Sequence, residues 1–527
     1  MDNTADIVVA GAGHNSLITA AYLAKAGYQC LVLDARDIPG GGAATESLLG
    51  PGYKIDSCST GQTLIRMNPV LLLDELGLVS KYGLTYLEPD PVAHVVFPDG
   101  EQLTQWLDLD KTLAEIARFS ARDAEAYARA FREYDEVAPI IGRARLRPDG
   151  MGASTEESLR EHPRGGVWLR RNAMPAADLI RREYEDPHVR AFMAWQASQT
   201  AVALDSSGTG LLTYSLIYSR QRRSWSIPQG GSGMLISALT SYLEDHGAQI
   251  LCGRQVSSLV IEDGRCAGVE TDDGERYLAR KAVVSTIHVK HLVGMADPGL
   301  WGEDFVYGAD TYDVGISGYA GYYILDTVPE FTGPHGGRAA VSAGAAPWLE
   351  DILALTRAAK DHIPHTPDHP WVLMATPTLV DPERAPAGQH TVKIMGSNTW
   401  EIPAGRDWPE YKYEVLDRAL GALRPHVPAL ASEHILNSIV KSPADIEHAN
   451  QHMVRGTFHG GDRSHAFSGS YRPVPGWAAH RMPIPGLYQT GGTTSVGGSI
   501  TGIPGRNAAQ VVLTDLGHDP GAVMAIV

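Results

Sequence analysis

Asp6-Ile7-Val8-Val9-Ala10-Gly11-Ala12-Gly13-His14-Asn15-Ser16 decides the reading of this chain. Ile7 to Ala10 is a short apolar run, the pattern of a buried strand. Ser16 to Ala26 reads as a helix, because Leu17, Ala20, Ala21 and Ala24 recur at helical spacing and Gly27 ends the run. Gln29 to Leu33 is a second apolar strand, and Asp34 closes it about 20 residues past Gly13. The turn between strand and helix carries the chemistry. Gly11 permits the tight bend, and Gly13 lets the backbone approach a pyrophosphate. The helix start then offers free N–H groups and partial positive charge to that anion. Ser16 stands where a third glycine is usual, a position that needs only a small side chain. A carboxylate at Asp34 is placed to accept hydrogen bonds from ribose hydroxyls. Gly11, Gly13, His14, Asn15, Ser16 and Asp34 are therefore expected to bind a dinucleotide.

Outward from this unit, the composition is that of a folded protein. The chain has 527 residues, 43% hydrophobic and 20% charged, which excludes wholesale disorder. That length predicts two or more lobes. The net charge of −17 argues against a nucleic-acid partner. Cys30, Cys58, Cys252 and Cys266 include no C-x-x-C pair, so a zinc ribbon or redox dithiol is not expected. The acidic start runs straight into a strand, unlike a signal peptide, and no apolar run reaches membrane-spanning length. A cytoplasmic protein is expected.

Further along, Lys111–Ala138 and Ala177–Ala197 read as helices, with a polar, Arg-rich mobile loop between them over 143–171. Its arginines are a candidate for peripheral contact with an anionic membrane. The α/β rhythm returns near Ser226: a helix over 233–246, strands over 249–252 and 256–262, turns at Gly264 and Asp272-Asp273-Gly274, and a strand over 282–286. Strands follow over 318–325 and 371–375, then a helix over 411–423 and a capped helix start at Ser442. The last segment, 486–516, reads as strand, glycine turn and helix.

Three stretches besides the first resemble one family. Ala35-Arg36 followed by Gly40-Gly41-Gly42-Ala43 matches an Arg and glycine turn placed after the acid. Pro228-Gln229-Gly230-Gly231 is similar to a P-x-G-G element. Pro485-Gly486-Leu487-Tyr488-Gln489-Thr490-Gly491-Gly492, then Gly497-Gly498-Ser499-Ile500 and Pro504-Gly505-Arg506-Asn507-Ala508-Ala509, resembles a glycine-rich strand-turn-helix. Together they resemble the FAD-dependent amine oxidase superfamily and its phytoene desaturase-related branch. The resemblance implies an α/β fold: a Rossmann-type, glutathione reductase-like FAD domain with a second, mixed α+β substrate domain. The FAD domain would take residues 1–90, 225–290 and 450–527, and the substrate domain 91–224 and 291–449. It also implies that Ala35, Arg36, Gly41, Gly42, Ala43, Val256, Gly491, Gly492, Ser499 and Ile500 join the first unit in holding FAD. The helix opened by Pro504-Gly505-Arg506-Asn507 would point at the flavin and stabilise negative charge there. No Cys follows Cys266 and no His lies between His480 and His518, so a noncovalent flavin is expected. No second dinucleotide unit occurs. Electrons are expected to leave to oxygen or a quinone rather than to NAD(P).

The catalytic groups are not legible. His459 and Asp462 are weak candidates for an acid or base, and Trp225 and Tyr471 weak candidates for substrate contact. His362, His365 and His369 lie among prolines that prevent helical spacing, so no metal is expected. Three functions stay open: an FAD-dependent desaturase or dehydrogenase on an apolar, isoprenoid-like small molecule, an amine or alcohol oxidase on a small polar one, or a noncatalytic flavin-bound scaffold.

Overall fold

The computed structural model describes residues 3–526. Its first sheet has seven strands. Thr4–Ala10 lies at its centre, parallel to Cys30–Leu33 on one side and to the second half of Arg276–Ser285 on the other. Gln249–Leu251 and Leu487–Gln489 extend the parallel portion on either side. Val256–Glu262 and Arg265–Thr271 continue the first half of Arg276–Ser285 as an antiparallel meander. The continuous apolar strands are what this arrangement requires, since helices cover the parallel part. The helix His14–Lys25 packs between Gly233–Asp245 and the last helix, Ile503–Asp515. On the opposite face lie Val289, Leu292, Trp301 and Phe305.

The second sheet also has seven strands, in the order Ile435–Lys441, Ser317–Leu325, His390–Asn398, Val372–Ala375, Ala343–Ala345, Ala93–Val96, Gln102–Gln105. It is antiparallel except where Ala343–Ala345 runs parallel to Ala93–Val96. Helices from 109 to 223 pack on it through Phe192 and Trp195, the latter against Trp371 beside the strand Val372–Ala375. Short strands Tyr86–Leu87 and Ile227–Pro228 pair where the chain leaves and re-enters the first lobe.

Several expectations change. The run 111–138 is two helices, Leu109–Ala117 and Ala121–Arg145, because Ser120 caps the second through the Asp123 N–H. The run 177–197 is also two, divided where Asp186 caps Pro187–Ser198. The Arg-rich stretch is not a loop throughout. It holds helices Thr155–Arg160 and Gly165–Ala173, which bury Leu159 and Trp168. Local polarity concealed them, because their arginines are paired within the fold: Arg171 with Glu133 at 2.8 Å, Arg164 with Glu133 at 3.1 Å and Arg160 with Glu156 at 2.6 Å. Residues 289–312 pack on the first sheet rather than the second, so that lobe extends past residue 290. Among the described residues no helix is long and apolar enough to cross a membrane, and no group of His, Cys, Asp and Glu could hold a metal.

Candidate active site

A cavity of about 460 Å³ lies between the two sheets. Its floor is the glycine turn. Gly11 has φ +103°, and a Cβ there would stand 2.1 Å from Thr286 Oγ1, so no other residue fits. Asp34 accepts hydrogen bonds from the N–H groups of Ala12 at 2.8 Å and Arg36 at 2.9 Å. It thus pins the turn to the end of the second strand while still lining the cavity.

The other floor residues come from the C-terminal glycine run. Ser285 accepts from the Thr490 N–H at 2.9 Å, which seats that run against the first sheet. His459 reaches across from the neighbouring loop. A backbone carbonyl only accepts, so His459 Nε2 carries the proton and donates to Gln199 O at 3.2 Å. Its Nδ1 faces the Ser499 hydroxyl at 3.3 Å. Desolvation, with the Arg463 charge second, holds its pKa down at about 4, so it is neutral at pH 7.

The roof comes from the second lobe: Leu216, Val341, Trp371, Leu373 and Met395 present apolar surface, joined by Phe458, which packs against Gly318 of the second sheet. Trp225 closes one side so tightly over residue 61 that a Cβ on Gly61 would lie 1.3 Å from its indole Nε1. Two cations enter this half. Lys393 donates to Thr60 Oγ1 at 2.6 Å and to the carbonyls of Cys58 and Asp56, and burial lowers its pKa. Arg220 stands with its guanidinium carbon 4.2 Å from the Trp225 ring centre. Among the described residues that line the cavity, Asp34 is the single carboxylate.

Residues 17–318 match the family described as flavin containing amine oxidoreductase. The chain belongs to this family. It is 28% identical to pyridine nucleotide-disulfide oxidoreductase domain-containing protein 2 of Mus musculus, over 97% of this chain and 94% of that one. It is 26% identical to the lycopene-forming phytoene desaturase of Pseudescherichia vulneris, over 97% of this chain and 99% of that one. The fold is similar to that of cyclohexylamine oxidase from Brevibacterium oxydans, with TM-score 0.58 and 16% identity over 98% of this chain and 100% of that one. The protein is an FAD-dependent oxidoreductase.

The residues present fit the cofactor of this flavin family. His14 Nε2 and Arg36 Nη2 are buried at the glycine turn without a protein partner. Such atoms are rarely left unsatisfied, and phosphate or ribose oxygens would satisfy them. Desolvation keeps His14 near pKa 4, hence uncharged. Of the residues expected to hold FAD, Gly11, Gly13, His14, Asn15, Asp34, Ala35, Arg36, Gly41, Gly42, Val256, Gly491, Gly492, Ser499 and Ile500 all line the cavity.

Ser16 and Ala43 do not line it. Ser16 turns its hydroxyl back to Gly11 O at 2.5 Å and Gly13 O at 2.9 Å, bracing the turn from beneath. Ala43 is wholly buried in the first-lobe core. Trp225 and His459 are on the wall. Asp462 is not: its carboxylate accepts from the Ser464 N–H at 3.1 Å and its N–H donates to Asp313 O. Tyr471 is 42% exposed on the outer surface against His465. Local sequence missed Arg220 and Lys393. Each lies in an ordinary helix or strand far along the chain, and only burial marks it.

Proposed function

We propose that the protein dehydrogenates a small molecule with an apolar body, using noncovalent FAD and passing the electrons on to oxygen or a quinone. The observation that carries this reading is the cavity wall itself, in which an apolar roof and two cations face the flavin floor with no free carboxylate between them. A protonated amine would meet Arg220 and Lys393, while Asp34 sits at the dinucleotide turn, bonded to the Ala12 and Arg36 N–H groups, where the ribose would take its remaining lone pairs. That favours a hydrocarbon-like substrate over the amine that the family description suggests.

When bound, FAD supplies the hydride-accepting chemistry. The residues around it bind, orient and exclude water. Gly11, Gly13, His14 and Arg36 would hold the pyrophosphate, Asp34 the ribose and Val256 the adenine side. Gly491, Gly492, Ser499 and Ile500 would lie against the flavin, with the start of helix Ile503–Asp515 offering its N–H groups. The apolar roof keeps water from the reacting carbon. His459 and Lys393 fix the surrounding loops rather than titrate.

The test is the visible spectrum of the purified protein, followed by heat release of its chromophore and anaerobic titration. The reading expects FAD in the supernatant. It also expects flavin bleaching by an isoprenoid hydrocarbon or a long-chain aliphatic compound, and none by a primary amine. Bleaching by amines alone would overturn it. A flavin that no reductant bleaches and reoxidises would favour the scaffold reading.

A further inference from the structure

Arg220 is 6% exposed on the helix Leu212–Arg223 and lines the cavity. Among the described residues no carboxylate pairs with it. Its side chain donates instead to two amide oxygens, Gln196 Oε1 and, at 2.6 Å, Gln199 Oε1. Trp225 covers one face of the guanidinium.

The amide oxygens are aimed at Arg220 by a chain of hydrogen bonds that starts on the backbone. Gln221 Nε2 donates to the carbonyls of Trp106 at 2.7 Å and Leu107 at 2.9 Å. Its Oε1 therefore receives the Tyr127 hydroxyl at 3.0 Å and Gln105 Nε2 at 3.3 Å. Gln105 Oε1 in turn accepts from Gln196 Nε2 at 2.8 Å, which leaves the Gln196 oxygen for Arg220. This is a built mount for a cation. A charge removed from water without a counter-charge is strongly disfavoured, and burial pulls the Arg220 pKa down to about 9, still protonated at neutral pH.

Two further donors on the cavity wall lack partners. Ser198 Oγ and Gln199 Nε2 are buried and unsatisfied, both residues line the cavity, and Gln199 is itself bonded to Arg220 through its Oε1. We propose that Arg220, Gln199 and Ser198 form a subsite for a carboxylate carried on the substrate's apolar body. The proposal rests on the reading above, and it narrows the substrate class to an amphipathic acid. A monoanion fits better than a phosphate. Of the two cations in the roof half, only Arg220 is bonded to Gln199, because Lys393 is already turned to Thr60, Cys58 and Asp56. A doubly charged head would leave one charge uncovered.

The test titrates the flavin-loaded protein with decanoate, 1-decanol and decyl phosphate, reading tryptophan fluorescence and the flavin band. Decanoate should bind at least about tenfold tighter than 1-decanol. Arg220→Gln should erase that preference while leaving FAD stoichiometry and 1-decanol affinity in place, and Arg220→Lys should restore part of it. Gln199→Leu, which keeps the guanidinium, should weaken decanoate by several-fold. Equal binding of acid and alcohol by the unaltered protein overturns the subsite, as does a preference that survives Arg220→Gln. Tighter binding of decyl phosphate overturns the carboxylate assignment. Failure of every apolar compound to bleach the flavin while decanoate still binds through Arg220 overturns the dehydrogenase reading and leaves the subsite standing.

Discussion

His459 and Gln199 are joined by a hydrogen bond of 3.2 Å from the imidazole Nε2–H to a backbone carbonyl. The bond ties the end of the helix Pro187–Ser198, in the roof, to the C-terminal glycine run through Ser499 on the other ring nitrogen. A general base needs a free lone pair and a pKa near the working pH; His459 has neither. His459→Gln should keep turnover within about tenfold, whereas loss of a true base removes about 10²–10⁴. The melting temperature should fall, since two net hydrogen bonds contribute about 1 kcal/mol each. A pH profile that loses an ionisation in this variant would restore His459 to catalysis.

Gly61 is the point at which the floor loop and Trp225 touch. An alanine methyl would overlap the indole at 1.3 Å, so Gly61→Ala must push the ring aside. Trp225 fluorescence should change and substrate KM should rise at least about tenfold, the effect of roughly 1.4 kcal/mol. An unchanged KM and emission spectrum would show that the ring has room to move.

Glu75 and Arg506 form a buried pair, Oε1 to Nη2 at 2.9 Å and Oε2 to Nε at 3.1 Å, which anchors the last helix. Burial opposes the Glu75 charge, but hydrogen bonds from Arg506 and Tyr22 outweigh it and hold the pKa below the ordinary carboxylate value. Its folded pKa is depressed, so its stabilisation is full above about pH 4.3 and is lost as pH falls through the lower folded value. Glu75→Gln should lower stability at pH 7 by about 3–5 kcal/mol by stranding Arg506. The difference from the unaltered protein should shrink on acidification. Denaturant melts at pH 7 and pH 3.5 check both the size and the sign.

Five histidines, His14, His94, His452, His459 and His480, are held near pKa 4, each chiefly by desolvation. Unfolding returns them to about 6.5, so the unfolded chain takes up protons between those values. Stability should therefore fall as pH drops from about 6.5 toward 4, with a slope of about 1.4 kcal/mol per pH unit for each proton taken up. Calorimetry across that range in two buffers of different ionisation heat measures the uptake. A flat stability curve would show that these rings protonate freely in the folded state.

Lys393 spends its ammonium on Thr60 Oγ1 and two carbonyls of the 56–60 loop. Lys393→Met keeps the stem and removes those donors, leaving buried acceptors unpaired at about 1–3 kcal/mol each. The loop should loosen, seen as faster amide exchange over 56–63 and weaker FAD retention. Wild-type exchange together with full retention would mean that the loop stands without the lysine.

The dinucleotide unit was legible because its requirements are local. A tight turn, a helix start and an acid at a strand end are fixed by residues close in sequence, and Gly11, Gly13 and Asp34 meet in the cavity as their spacing implied. The helices around Leu159 and Trp168 were not, since their arginines looked solvated until glutamates from other helices were brought beside them. Asp462 and Tyr471 read as site residues because they stand near the glycine run in the chain, but backbone turns carry them away from it. Residues close in the chain were enough to read a nucleotide-type α/β unit and its glycine turn. The tertiary structure alone decided which charges face the cavity. Arg220 and Lys393 become special only when a helix and a strand, more than 150 residues from the turn, fold over it and take them out of water.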